Sequence, residues 1–455
     1  YHYFYNGGGV ACGDINNDGL PDLYFTANQL SDRLYLNKGN LKFEDISNNL
    51  PAHNDVSWTT GVTMADVNGD GFMDIYVCKS GKLAPKFRKN LLLINQGNST
   101  FKERGEEYGL DDSGYSTQAT FFDFDKDGDL DMYLVNHEIK FISDYNRQIR
   151  ESERHPYVGD KLYRNDEGKF VEIGKAAGIN STSYGFGLGV AISDLNNDSW
   201  PDIYVTNDFV EDDFMYLNNG DGTFKESIQS ATKHISNYGM GVDIADINND
   251  GLSEILVVDM VAKDNFRQKT NMSGMNPQKF AQCINFGFHY QYMYNSLQLN
   301  RGNSKFSETG QLAGISNTDW SWSCLLADFD CDGNKDIFIT NGLRKDVRNN
   351  DYIKERALLA EKMSENIGID SAAIVSEQLL NIPTQKVSNY IFQNSNDLTF
   401  EDKSNSWGLS KPSFSNGSIY ADLDNDGDLD LVVNNIDEKA FLYENIKNQS
   451  PNFNY

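Results

Sequence analysis

A nine-residue pattern, recurring seven times, constrains the fold of this chain more than anything else in it. The first copy is Asp14-Ile15-Asn16-Asn17-Asp18-Gly19-Leu20-Pro21-Asp22, which runs straight into the apolar Leu23-Tyr24-Phe25-Thr26. The other copies begin at Asp66, Asp123, Asp194, Asp246, Asp328 and Asp422. Oxygen-bearing side chains at alternate positions of a tight loop converge on one centre, and a flexible six-to-eight-oxygen shell suits Ca²⁺ better than Mg²⁺. Positions 1, 3, 5 and 9 carry those side chains. They are Asp14, Asn16, Asp18 and Asp22 in the first loop, Asp66, Asn68, Asp70 and Asp74 in the second, and Asp123, Asp125, Asp127 and Asp131 in the third. The fourth has Asp194, Asn196, Asp198 and Asp202, and the fifth Asp246, Asn248, Asp250 and Glu254. Asp328, Asp330, Asp332 and Asp336 follow in the sixth, and Asp422, Asp424, Asp426 and Asp430 in the seventh. The backbone carbonyl of position 7 could add a ligand. Glycine at position 6 permits the sharp turn, with Ser199 as the exception.

An EF-hand shares the first half of this pattern but needs a bidentate Glu at position 12 and flanking helices. Position 12 here is Phe25, Val77, Leu134, Val205, Val257, Ile339 or Val433, each in a β-rich run. A single such loop reads equally well as an Asp/Asn/Gly turn. Repetition with an acid always at position 9 favours metal, so up to seven Ca²⁺ are expected, with Ser199 and Glu254 marking the weakest matches.

The repeat extends beyond the loop. A small-residue apolar run precedes it, as in Gly61-Val62-Thr63-Met64-Ala65. One strand follows it, and then a second that ends in Asn: Asn37, Asn95, Asn165, Asn218, Asn300, Asn394 and Asn445. A last strand opens with Phe43, Phe101, Phe170, Phe224, Phe306 or Phe400, and in the seventh copy Phe453 is the nearest candidate. Four short strands at a minimal period of about fifty residues predict a propeller blade. The expected architecture is all-β: one seven-bladed β-propeller over 1–455, with glycine-rich first strands at the crowded axis. Tyr1–Asn6 is a candidate outer strand closing the ring against the last blade. The chain begins at Tyr1, with no charged-then-apolar leader to test.

Spacing between position 9 and the Asn locates insertions at 137–160, 259–296 and 343–388. Connections alternate between faces in an up-and-down blade, so these segments are expected on the face opposite the calcium loops. The first is charged and includes Arg147, Arg150 and His155. The second is dense in Met and aromatic residues, among them Met272, Met275, Phe280 and Tyr292, and packing onto the propeller is favoured over an exposed site. In the third, Ile353, Ala357, Met363 and Ile367 recur at helical spacing, and a second run covers Ala372 to Leu380.

These motifs resemble the FG-GAP/VCBS repeat family, the blade type of integrin α-subunit heads, over essentially the whole chain. Gln291-Tyr292-Met293-Tyr294-Asn295, the stretch from Gln311 to Trp322, and Ile339-Thr340-Asn341-Gly342 resemble bacterial VCBS proteins of Bacteroidota. In those proteins the propeller precedes a carboxy-terminal ASPIC-type domain. The resemblance implies a calcium-binding propeller exposed outside the cell, associated with the outer membrane of a Gram-negative bacterium. The sequence holds no ASPIC-type domain, and nothing such a domain does is carried over.

The net charge is −28, and carboxylates of the loops account for much of it. Nucleic acid is a poor partner for such a surface. No run of eighteen apolar residues predicts a membrane span. Five cysteines without C-x-x-C spacing read as small hydrophobes rather than disulfides. No nucleophile elbow, H-E-x-x-H, phosphate loop or dinucleotide fingerprint is present, so an enzyme is not expected. His137, His155 and His289 fall in insertions and keep a catalytic site on that face open. The expectation is a cell-surface propeller that binds a protein, as a subunit of an envelope assembly. Glycan binding is the alternative, and a passive spacer role is a third. Against glycan binding, the tryptophans Trp58, Trp200, Trp320, Trp322 and Trp407 share no repeat position.

Overall fold

The computed structural model describes residues 6–51, 58–139, 154–271, 276–365 and 380–447. Seven antiparallel sheets follow one another along the chain. Blade one is Val10–Gly13, Asp22–Phe25, Arg33–Asn37 and Phe43–Asp45, paired in sequence order. Blades two to six repeat that order, from Thr59–Ala65 through to Phe400–Asp402. Blade seven has three strands among the described residues: Ser415–Ala421, Asp430–Asn435 and Phe441–Tyr443. First strands touch in cyclic order, and that of blade seven touches that of blade one, which closes the ring. The chain is a seven-bladed all-β propeller.

Burial follows from position in the blade. Second strands such as Asp74–Lys79, Asp131–Asn136 and Asp336–Asn341 are buried at every residue. Neighbouring blades cover both their faces, so alternation gives way to continuous β-branched and aromatic runs. The core is accordingly a set of layers between blades. Tyr24 and Leu34 of blade one, for example, pack with Ile75, Leu91 and Phe101 of blade two. At the axis, first strands surround a cavity of about 210 Å³ lined in part by Gly9, Gly61, Gly189, Gly241 and Gly417. A Cβ on Gly241 would lie 2.4 Å from the Trp322 carbonyl oxygen, so only glycine lets these backbones approach. Asn6 lines this axial cavity and is not on the rim; residues 1–5 of the expected closing strand lie outside the described residues.

In every blade but the third, the Asn that ends the third strand is a joint between blades. Asn37 Nδ2 donates to Pro21 O (3.1 Å) within its own blade and to Leu423 O (2.7 Å) of blade seven, while its Oδ1 accepts from Gly39 N (2.9 Å). Asn95, Asn218, Asn300, Asn394 and Asn445 each reach the preceding blade in the same way. Asn37→Ala is expected to destabilise the closed ring by about 3 kcal/mol, because it leaves buried carbonyls without donors. Urea unfolding monitored by tryptophan emission checks this, and a loss below about 0.5 kcal/mol would refute it.

A second repeated clasp sits at the other end of the blades. Asp32, Asn90, Asp160, Asp213, Asn295 and Asn389 stand just before third strands. Their side chains accept the backbone N–H at the end of the second strand, from Ala27, Lys79, Asn136, Asn207, Asp259 and Asn341, at 2.7 to 3.0 Å. Tyr24, Tyr133 and Tyr204 hydroxyls donate to Asp32, Asp160 and Asp213. In blades one to six the connection between second and third strands is thus pinched shut at its base, however long it is.

Candidate metal loops and the opposite face

Position 9 of every loop is a buried structural acid as well as a candidate ligand. Asp22 Oδ2 accepts from Ile15 N (3.0 Å) at position 2, and Oδ1 from Asn37 N (2.7 Å) on the third strand. Asp74, Asp131, Asp202, Asp336 and Asp430 make the same pair of contacts. Glu254 does too, through Ile247 N and Asn300 N, so its extra methylene still lets it close the fifth loop. Burial pushes Asp22 and Asp430 up to about 6, and Asp74, Asp131, Asp202, Glu254 and Asp336 up to about 7, with the two N–H donors pulling the other way. Carboxylates of the same loop add to the rise.

Positions 1, 3 and 5 come together around the turn. Asp14 accepts from Asp18 N (3.2 Å) and Gly19 N (2.7 Å). Asp66, Asp194, Asp246, Asp328 and Asp422 accept from the equivalent positions, and Asp123 from Gly128 N. Ser199 fills the glycine role at φ +72°, its N–H 2.7 Å from Asp194. Where position 3 is Asn, its amide bonds position 5: Asn16 to Asp18, Asn68 to Asp70, Asn196 to Asp198 and Asn248 to Asp250, at 2.9 to 3.0 Å.

Where position 3 is Asp, no such internal donor exists. Asp123, Asp125 and Asp127 each bring a carboxylate oxygen within 4.8 Å of the others, as do Asp328, Asp330 and Asp332, and Asp422, Asp424 and Asp426. Buried Oδ1 atoms of Asp123, Asp125, Asp330 and Asp424 have no hydrogen-bond partner. Converging buried oxygens without donors fit a hard cation, which would satisfy them together. Asp129 joins this set, with an unpartnered buried Oδ1 and a carboxyl raised to about 6 by burial and by Asp127. Asp129 and Asp428 occupy position 7 of the third and seventh loops, which sequence reasoning treated as a carbonyl only. The signal was an acid at that position in those two copies alone.

Position 4 also carries structure that the pattern concealed. Asn17, Lys126, Asn197, Asn249, Cys331 and Asn425 all lie at positive φ. Asn17 Nδ2 donates to Gly71 O, Asn249 to Gly333 O and Asn425 to Gly19 O, each linking one loop to the next blade's. The last of these spans blades seven and one.

The longer connections lie between second and third strands, at the opposite ends of those strands from the loops. In blade five this connection forms the helices Asn265–Asn271 and Pro277–Asn285, the second capped by Asn276, whose side chain accepts from Gln278 N and Lys279 N. The Asn-Pro start signal was legible but was masked by the aromatic content. Met260 and Phe288 are buried, and Phe280 packs against Tyr292 with ring centroids 5.6 Å apart and planes tilted by 34°, whereas Tyr290 and Phe266 remain exposed. A cavity of about 200 Å³ there is lined by Tyr238, Lys279, Phe280, His289 and Gln291. In blade six the connection holds the helix Asn350–Glu365. Ile367 and all but the last residue of the run from Ala372 to Leu380 lie outside the described residues, as do Arg147, Arg150, Met272, Met275 and Phe453. Arg267 binds the two connections together. It is bidentate to Asp319 (2.7 and 2.9 Å), 3.5 Å from Asp346, and donates to Gln385 (2.8 Å). Asn350 Nδ2 also reaches Lys269 O, at 2.8 Å.

The three insertion histidines have separate partners. His137 is buried between Ser80 Oγ (2.7 Å) and Glu138 O (3.0 Å), and burial lowers it to about 4. His289 lies 3.1 Å from Thr232 Oγ1, and His155 Nδ1 accepts from Tyr157 N. All five cysteines are free.

An FG-GAP-like repeat model matches residues 6–77, 83–134 and 194–257, which take in the first five loops. The chain therefore carries FG-GAP-like repeats in those stretches. No curated protein matches the chain. Among solved structures, an Agrocybe aegerita lectin, described for its specific recognition of non-reducing terminal N-acetylglucosamine, aligns with a TM-score of 0.43 at 14% identity, covering 87% of this chain and 79% of that one.

Proposed function

We propose that this protein is a calcium-stabilised propeller of the cell surface that binds a protein partner through the face opposite its loops, as a subunit of an envelope assembly. One observation carries the reading: the connections of blades five and six are knitted into one platform by the buried Arg267, and that platform leaves large apolar side chains in solvent. Phe266 is 73% exposed, Leu358 59% and Leu380 78%. Exposed apolar groups on a rigid, ion-paired support favour a protein partner. No helix among the described residues is long and apolar enough to cross a membrane. The test compares partners retained from native envelope in calcium by the full protein and by a Phe266→Asp, Leu358→Asp variant. A defined set of proteins captured by the first and lost by the second, with the melting temperature unchanged, is expected; identical capture would overturn the reading.

Glycan binding is the second reading, supported by the aromatic and amide lining of the cavity around Tyr238, Phe280 and Gln291. Lysine and histidine also line it, and a glycan array without hits would remove it.

A further inference from the structure

Arg348 stands in the connection of blade six with its guanidinium 4.6 Å from the centre of the Tyr238 ring and 5.7 Å from that of Trp320. The residue is half-buried, yet among the described residues its side chain makes no ion pair and no hydrogen bond. A guanidinium offers five N–H donors in a planar fork. Contact with aromatic rings uses its faces and leaves the edge of that fork for an acceptor. Two further donors close by are also unfilled. Lys279 lines the cavity of about 200 Å³ that Tyr238 borders, and among the described residues its ammonium has no ion pair. Trp320 lines a smaller cavity with Arg348, and its indole N–H is buried without a hydrogen-bond partner.

The chain's own carboxylates do not answer these donors. Asp319 and Asp346 are held by Arg267. Asp259 accepts from Ser236 Oγ and from Asn237 N and Tyr238 N. Asp208 is 4% exposed and accepts from Phe209 N at 2.8 Å. Burial pushes its carboxyl up to about 7, and the charges of Arg348 and Lys279 pull the other way, but an ion pair forms with neither. The aromatic walls are fixed in advance: Tyr238 N donates to Asp259, and Trp320 N donates at 2.8 Å to Asp319, which in turn binds Arg267. A site whose parts are already held loses little entropy when an anion enters it.

Resting on the protein-partner reading above, we propose that Arg348 is the receptor for a carboxylate of that partner, an Asp or Glu side chain that takes the open edge of the guanidinium, with Lys279 as a second cation. A carboxylate matches the planar fork with two parallel hydrogen bonds, and both are charge-assisted. The exposed Phe266, next to Arg267 in the chain, supplies apolar surface on the same platform to shield the pair from water. An arginine set among aromatic rings and covered by a partner is a common centre of binding energy.

Two measurements on the calcium-loaded protein test this. The first follows the indole N–H resonance of Trp320 during titration with glutamate blocked at both backbone ends. A saturating shift is expected in the full protein, and none in Arg348→Gln or with blocked glutamine. No shift in the full protein, or an equal shift with glutamine, would overturn the proposal. A shift given by galacturonate and not by glutamate would also overturn it, by assigning the site to an acidic glycan. The second measurement compares partner capture from native envelope by the full protein, by the Phe266→Asp, Leu358→Asp variant and by Arg348→Gln, with melting temperatures as the control for folding. Arg348→Gln is expected to hold the captured proteins on the order of tenfold more weakly. Capture lost in the double variant but unchanged in Arg348→Gln would overturn this assignment and leave the partner reading standing. Capture by none of the three forms would remove the partner reading and this proposal with it.

Discussion

Stripped of divalent cations by a chelator, the protein is expected to lose stability steadily as the pH rises from 4 to 7. The seven position-9 acids are raised to about 6 or 7 by burial, above the ordinary values of 3.8 for Asp and 4.5 for Glu. Between pH 4 and 7 the folded state therefore holds protons that the unfolded chain has released. Unfolding free energy falls across that window as pH increases. A bound cation inverts the balance, since it stabilises the ionised carboxylates and displaces their protons. In millimolar calcium most of the fall should vanish. A smaller fall should remain, because Asp160 and Asp213 are also raised to about 7 and lie at the other end of the blades, away from any loop cation. Each loop filled at a hundredfold excess over its dissociation constant adds about 2.7 kcal/mol, so three filled loops would raise Tm by roughly 10 °C. Scanning calorimetry at pH 5, 6.5 and 8, with calcium and with chelator, reads the effect. A melting temperature indifferent to both calcium and pH would end the calcium reading of the loops.

Arg267→Ala is expected to loosen the platform by about 3 to 5 kcal/mol while leaving the ring intact. The guanidinium is the shared counter-charge of the buried Asp319 and Asp346, and its removal strands two carboxylates in a low-dielectric setting. Hydrogen exchange should accelerate in Asn265–Asn271 and Asn350–Glu365, with blades one to four unchanged. Partner capture should weaken in parallel. Unaltered exchange in both helices would show that other contacts hold the platform and that Arg267 is incidental to it.

The ring was legible because its signals repeat. Seven loops, the third-strand Asn and the fourth-strand Phe each recur at a fixed place, so the blade could be counted before any geometry was known. What these residues do was less legible. Asn37 and its equivalents read as strand ends, yet all but Asn165 are joints to the neighbouring blade, a role set by contacts 80 to 386 residues apart in sequence. Asp32, Asn90 and the other residues of the second clasp each stand five residues before the third-strand Asn, but Asp and Asn share the position and insertions carry it to irregular distances from the loop, so they went unnoticed. The helices of blade five were hidden by their own composition, since aromatic and Met content says how much a segment buries and not which backbone it adopts. Asp129 was missed by reasoning from the loop's commonest form, which assigns position 7 to the backbone.

The clasp at the foot of the second-to-third-strand connections of blades one to six also bears on how such a chain can diversify. Asn295 and Asn389 fix the entry and exit of the two longest connections at a constant separation. Whatever is spliced between them inherits the same anchorage, and the strain of accommodating it stops at that bond. Length, composition and even secondary structure can change at these two ports without disturbing the loops at the other end of the blades. A new connection can therefore be carried there without rebuilding the ring beneath it.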